Sequence, residues 1–181
     1  MSVRYLVNWA IWIGVLSGFY VYLYLQTPLA PYGIIWMTFV ALPIYFTGGA
    51  KPEEYLSYVL SMLVGVIWGL FYLFCIDRLI AWGMAGDLAT ALVVAVVCSV
   101  QCAVHFIPPL SKTPLRVVPI MFGAISMCFS QGGEKAVPVA LTLLGGLTLA
   151  LCCGLGVRFL TPEGRWSVSG VFSGRNATGK S

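Results

Sequence analysis

Charge is what this sequence has least of. No Asp, Glu, Lys or Arg occurs between Arg4 and Lys51, and none between Asp87 and Lys112. Charged residues make up 9% of the chain and hydrophobic ones 60%, whereas a soluble domain carries about a quarter charged residues to solvate its surface. Gaps this long and apolar make the chain a polytopic membrane protein. There is one histidine, no acid pair inside an apolar run and no Ser-His-acid set to assemble, so neither an enzyme nor a cofactor is expected. Membrane carboxylates are missing too. Ionisable groups inside spans mark ion and proton pathways, but Asp77, Arg78 and Asp87 read as a boundary loop. Glu53 and Glu54 follow Pro52 in a first helical turn, where acids suit the helix dipole. A proton- or cation-coupled carrier is thereby disfavoured, and passive movement of a neutral solute is favoured.

What is present is a series of apolar runs. A helix crosses the hydrocarbon core in about 20 residues, and cutting at Pro, Gly and charge clusters gives six spans. They are Tyr5–Leu25, Tyr32–Phe46, Tyr55–Ile76, Leu88–Ile107, Val117–Phe129 and Ala136–Leu160. The first is too long for a signal-peptide core and lacks a clear small-residue cleavage site, so it reads as a retained span. The six cysteines, Cys75, Cys98, Cys102, Cys128, Cys152 and Cys153, lie in or beside these runs, where small packing residues are expected rather than disulfides. Residues 1–160 thus form one membrane domain, and 161–181 a flexible polar tail. Eight Lys and Arg (Arg4, Lys51, Lys112, Arg116, Arg158, Arg165, Arg175, Lys180) fall on one side and two (Arg78, Lys135) on the other. This asymmetry places both termini in the cytoplasm. The positive balance then reflects topology and anionic headgroups and needs no nucleic-acid partner.

The second and fifth spans carry an internal repeat. Phe39–Lys51 (FVALPIYFTGGAK) and Phe122–Lys135 (FGAISMCFSQGGEK) share Phe-x6-Phe, a hydroxyl residue, Gly-Gly and a Lys. Three spans per copy is an odd number, so the copies point in opposite directions and form two inverted three-helix repeats, about 5–80 and 86–160. Short or Gly-interrupted segments at matching places of inverted halves point to a transport site. The residues concerned are Phe46, Thr47, Gly48 and Gly49 in one half, and Phe129, Ser130, Gln131, Gly132 and Gly133 in the other. Phe46 and Phe129 could form hydrophobic constrictions, or could equally face lipid or core. The Gly-Gly pairs could equally be helix caps. Gly14-x3-Gly18 and Gly65-x3-Gly69 have the small-residue spacing that lets helix backbones approach closely, and Gly145, Gly146, Ala150 and Gly154 serve the same purpose in the sixth span.

These segments carry a resemblance. Gly14–Leu25, Tyr45–Phe71 and Phe122–Leu147 resemble the family of domain of unknown function 1097 (DUF1097), small bacterial inner-membrane proteins with the same run of short spans. The resemblance covers the chain to about Leu160 and implies an inner-membrane location but no activity. The three-plus-three plan is shared in outline with aquaporin-like, urea and formate channels, but their paired Asn-Pro-Ala boxes are absent.

Polar residues within the spans are Asn8, Ser17, Thr38, Tyr45, Thr47, Ser61, Ser99, Gln101, His105, Ser126, Ser130 and Gln131. Gln101 lies too deep to snorkel and needs an internal partner or a pore. Cys98, Cys102 and His105 share a helical face and could bind a soft metal, though one helix cannot easily close a tetrahedral shell and packing is the simpler account. Trp9, Trp12, Trp36, Trp68 and Trp82, with Tyr20, Tyr22, Tyr24 and Tyr32, read as an interfacial belt. The closing GRNATGKS, Gly174–Ser181, matches a phosphate-binding loop and holds a glycosylation triplet at Asn176. A phosphate loop needs a strand before it and a helix after it, and a cytoplasmic Asn176 would not meet glycosylation machinery. No nucleotide is expected.

The sequence therefore predicts an all-α, six-span membrane protein in a lipid bilayer, forming a homo-oligomer. The favoured role is a channel or facilitator for a small neutral or weakly polar solute. A non-transporting accessory subunit is the alternative, with soft-metal binding a third.

Overall fold

The computed structural model describes residues 2–107, 113–130, 132–161 and 163–167. Gln131, Lys112 and the GRNATGKS segment lie outside them. Among the described residues the elements are six α-helices joined by short 3-10 turns, with no strand beyond an isolated bridge between Leu160 and Trp166. We number the helices α1 (Val3–Leu25), α2 (Trp36–Thr47), α3 (Tyr55–Ala81), α4 (Gly86–Phe106), α5 (Val117–Phe129) and α6 (Ala136–Leu155). Taken with their short flanking turns, α1, α3, α4 and α6 are long and apolar enough to cross a membrane. With 12 and 13 residues, α2 and α5 reach about 18–20 Å, short of a hydrocarbon core of about 30 Å.

Local chemistry sets most of the boundaries. Ser2 caps α1 by accepting from the Tyr5 N–H at 3.2 Å. After α1, Pro28 and Pro31 keep the chain out of an α-helix until Trp36, with a 3-10 turn over Ala30–Tyr32 between. α2 ends at Gly48, where the chain turns through Gly49 (φ +87°) and Ala50 (φ +47°). The turn closes with the Ala50 N–H on Tyr45 O at 3.0 Å. Three boundaries differ from the sequence reading by four or five residues, the first being the start of α2 at Trp36 rather than Tyr32. α3 continues through Asp77 and Arg78 to Ala81, because a helix end at the membrane rim accepts charge and Arg78 lays its guanidinium over Phe74 at 5.0 Å. α6 stops at Leu155 and tightens into a 3-10 turn over Gly156–Phe159.

Packing is dominated by two helix pairs, α3 with α5 and α2 with α6. Glycine sets both. A Cβ on Gly65 would overlap Ile120 O and stand 2.8 Å from Gly123 Cα, and one on Gly69 would stand 2.8 Å from Ala124 O. Ascending numbers on α3 thus meet ascending numbers on α5, so the two run parallel. On α6, a Cβ at Gly146 would come within 2.9 Å of Ala41 Cβ and of Thr38 Cα. Gly154 faces Ala50 further along, so α2 and α6 are parallel too. α1 runs antiparallel to α6, with Trp12 Nε1 on Cys152 O and Tyr24 Oη on Thr142 Oγ1. α4 runs antiparallel to α3, with Trp68 on His105 and Tyr72 on Gln101. The central core, including Met37, Tyr45, Met62, Met127, Leu143 and Leu147, is almost wholly excluded from the surface.

Candidate functional site

The two Gly-Gly turns lie at opposite ends of α5. The first meets its N-terminus, since Thr47 and Gly48 share a cavity with Ile44, Tyr58, Arg116 and Val117–Pro119. The second follows its C-terminus. The cavity is about 400 Å³, and its walls follow from local bonding. Arg116 holds Glu54 at 2.9 Å and lies over the Tyr58 ring at 5.2 Å. Its backbone N–H donates to Ser61 Oγ at 2.8 Å, while Ser57 Oγ donates to Pro114 O. Tyr45 donates to Lys51 O at 2.6 Å and stacks edge-on against Tyr58 at 4.9 Å. A Cβ on Gly48 would overlap the Tyr58 hydroxyl, so a larger residue here would have to displace that ring. Thr47 donates back to Ile44 O at 2.8 Å and is exposed at the cavity wall. Phe46 is turned away, edge-on to Trp9 at 6.1 Å.

The second turn has different surroundings. Phe129 is 70% exposed. Ser130 is buried and donates to Met127 O at 2.7 Å, and Lys135 Nζ donates to Ser130 O at 2.9 Å, closing the end of α5. Gly132 is extended at φ −172°, and Gly133 looks onto Leu70.

Gln101 has the internal partner its depth demands. It is 3% exposed, and its Oε1 accepts from Tyr72 Oη at 3.0 Å. His105 Nε2 accepts from Trp68 Nε1 at 3.1 Å. Cys98 and Cys102 are half-buried beside this line, and the buried positions are Val97, Gln101 and His105. Among the described residues no three His, Cys, Asp or Glu side chains gather as a metal site.

Of the proposed packing glycines, Gly65, Gly69 and Gly146 stand at helix crossings, and Gly145 faces the Tyr20 hydroxyl. Gly14 and Gly18 look outward from α1, and a Cβ on either would meet no described atom within 4 Å. The interior also holds a hydroxyl network that the sequence reading does not foresee. Tyr20 Oη pairs with Thr38 Oγ1 and Tyr24 Oη with Thr142 Oγ1, each at 3.1 Å. Thr38 reaches Thr142 O at 3.4 Å, so α1, α2 and α6 are joined in the interior. Tyr20 and Tyr24 thus serve this network, where the sequence suggests an interfacial belt. The signal that could have found them is their spacing of four, which puts both on one helical face.

In comparison with known proteins, a family model described as "Protein of unknown function (DUF1097)" matches residues 10–158. No curated protein and no solved structure matches the chain.

Proposed function

Because the chain belongs to the DUF1097 family, whose description states no activity, we propose a function from geometry: passive facilitation of a small neutral or weakly polar solute across a membrane. The observation that carries this reading is the cavity of about 400 Å³ at the first Gly turn, within the size range of small-molecule sites. It lies beside the short helix α2, at the N-terminus of the equally short α5. The interior offers hydroxyl and amide groups, with no Asp, Glu, Lys or Arg among the described buried residues, and Arg116 at the cavity wall is paired with Glu54, which suits a neutral solute better than an ion.

An inverted repeat is part of this reading, and the pairing of helices supports it. Exchanging α1 with α4, α2 with α5 and α3 with α6 turns the α3–α5 pair into α6–α2, and α3–α4 into α6–α1, all of which are contacts of this fold. Gly65 and Gly146 are each the eleventh residue of their helices, and each faces a carbonyl of the short helix from the other half. Ser61 and Thr142, each the seventh, both donate back one turn, to Ser57 O and Pro138 O. In this arrangement α2 and α5 are half-length elements entering from opposite faces, in an inner membrane with both termini cytoplasmic.

Solute flux into proteoliposomes tests the proposal, using water, glycerol and urea as probes. Thr47→Trp and Val118→Trp fill the cavity from exposed positions and are expected to remove most protein-dependent flux while leaving the fold intact. A folded protein that speeds none of the three solutes would sink the reading. One observation favours an accessory subunit instead. Gly14 and Gly18 face outward on a helix whose apolar window has no fully buried residue among the described residues, which suits a partner helix or a second copy. Gly14→Ile with Gly18→Ile is then expected to dissociate the assembly in a crosslinking assay, and an unchanged assembly would remove that reading.

A further inference from the structure

α4 buries every fourth residue, Ala89, Val93, Val97, Gln101 and His105, so the line it presents is apolar at first and polar over its last two positions. Gln101 and His105 are 3% and 7% exposed. Each is fixed by a donor from α3. The Trp68 indole can only donate, so the His105 Nε2 it contacts at 3.1 Å carries no proton, and a neutral ring then holds its hydrogen on Nδ1. Tyr72 Oη donates to Gln101 Oε1, which leaves the amide NH2 as the free end. Gln101 Nε2 and His105 Nδ1 are both buried and have no partner among the described residues. These are two hydrogen-bond donors and no acceptor.

Burying a polar group without a partner is costly, and two on one helix face one turn apart can be satisfied by a single acceptor. Positions i and i+4 have Cβ atoms about 6 Å apart, close enough for both donors to reach one oxygen with two lone pairs. The donors are neutral, so an anion here would be buried without compensation. An amide NH2 and a protonated ring nitrogen cannot ligate a metal cation. We propose that Gln101 and His105 form a two-donor site between α3 and α4 that takes the acceptor oxygen of a small neutral molecule, either water or the carbonyl of an amide-like solute. The site stands independently of the transport reading, because it rests on unmet donors and not on the cavity at the first Gly turn.

His105 is the sole histidine, so protein labelled with 15N-histidine in lipid nanodiscs reports one imidazole. The expected spectrum shows Nδ1 protonated and Nε2 bare. Acetamide titration separates the two sources. A saturable shift of Nδ1 assigns the carbonyl, while no shift together with magnetisation transfer from water to Nδ1–H assigns water. Gln101→Met keeps the volume and removes one donor, together with the acceptor of the Tyr72 hydroxyl. It is expected to weaken the acetamide response about fivefold, the equivalent of one neutral hydrogen bond, or to lose the water contact. An Nε2-protonated ring would overturn the site. So would a folded wild type silent to both water and acetamide, or a folded Gln101→Met protein with an unchanged response. The wild-type spectra decide alone if that variant does not fold.

Discussion

Gly49 and Ala50 are successive residues with positive φ, +87° and +47°, and they differ in what that conformation demands. Gly49 adopts it freely, whereas Ala50 bears a left-handed penalty of about 1–2 kcal/mol, offset by its bond to Tyr45 O and its burial in the core. Among the described residues Gly49→Ala meets only the Lys51 side chain, at 3.7 Å and beyond, so its effect is on the backbone. It is expected to lose about 1–2 kcal/mol, measured as a lower midpoint of thermal unfolding in detergent. Wild-type stability in that variant would mean the turn can relax. Lys135→Met removes the charged donor at the end of α5 and is expected to lose about 1 kcal/mol in the same measurement. Gly-Gly is visible in the sequence as a turn. That Ala50 shares the strain is not, because nothing in its identity announces a positive φ.

At the scale of helices, one small-residue spacing has two outcomes. Gly65 and Gly69 are closed against α5, while Gly14 and Gly18 meet nothing among the described residues. The spacing reports that a backbone can approach closely but not which backbone, and this is why the sequence could not separate them. Gly65→Val and Gly146→Val are expected to destabilise by about 1–3 kcal/mol through overpacking. Gly14→Val and Gly18→Val should stay within about 0.5 kcal/mol. A reversal of that order, read by thermal unfolding of the four variants, would contradict the packing. The spans themselves were legible because an apolar run has a length and a helix has a rise. The end of α3 was not, since Asp77 and Arg78 look like a loop until Arg78 is seen folded over Phe74. The polar partners of Gln101 and His105 were likewise hidden, because Tyr72 and Trp68 are contributed by another helix.

At the scale of the molecule, the imbalance of Lys and Arg across the membrane predicts where its ends lie. A fluorescent reporter joined after Trp166 is expected to mature in the cytoplasm, and a periplasmic reporter at that point should be silent. The opposite result would invert the arrangement and exchange the faces of the two Gly turns. The line along α4 has a wider consequence. Slid by one turn, about 5.4 Å, Ala89, Val93 and Val97 would exchange one apolar contact for another, and apolar contacts carry no direction. Gln101 and His105 cannot shift that way without parting from Tyr72 and Trp68. The two polar residues therefore index the helix: they select one rung of an otherwise degenerate ladder, and so fix how the second half of the chain is threaded against the first.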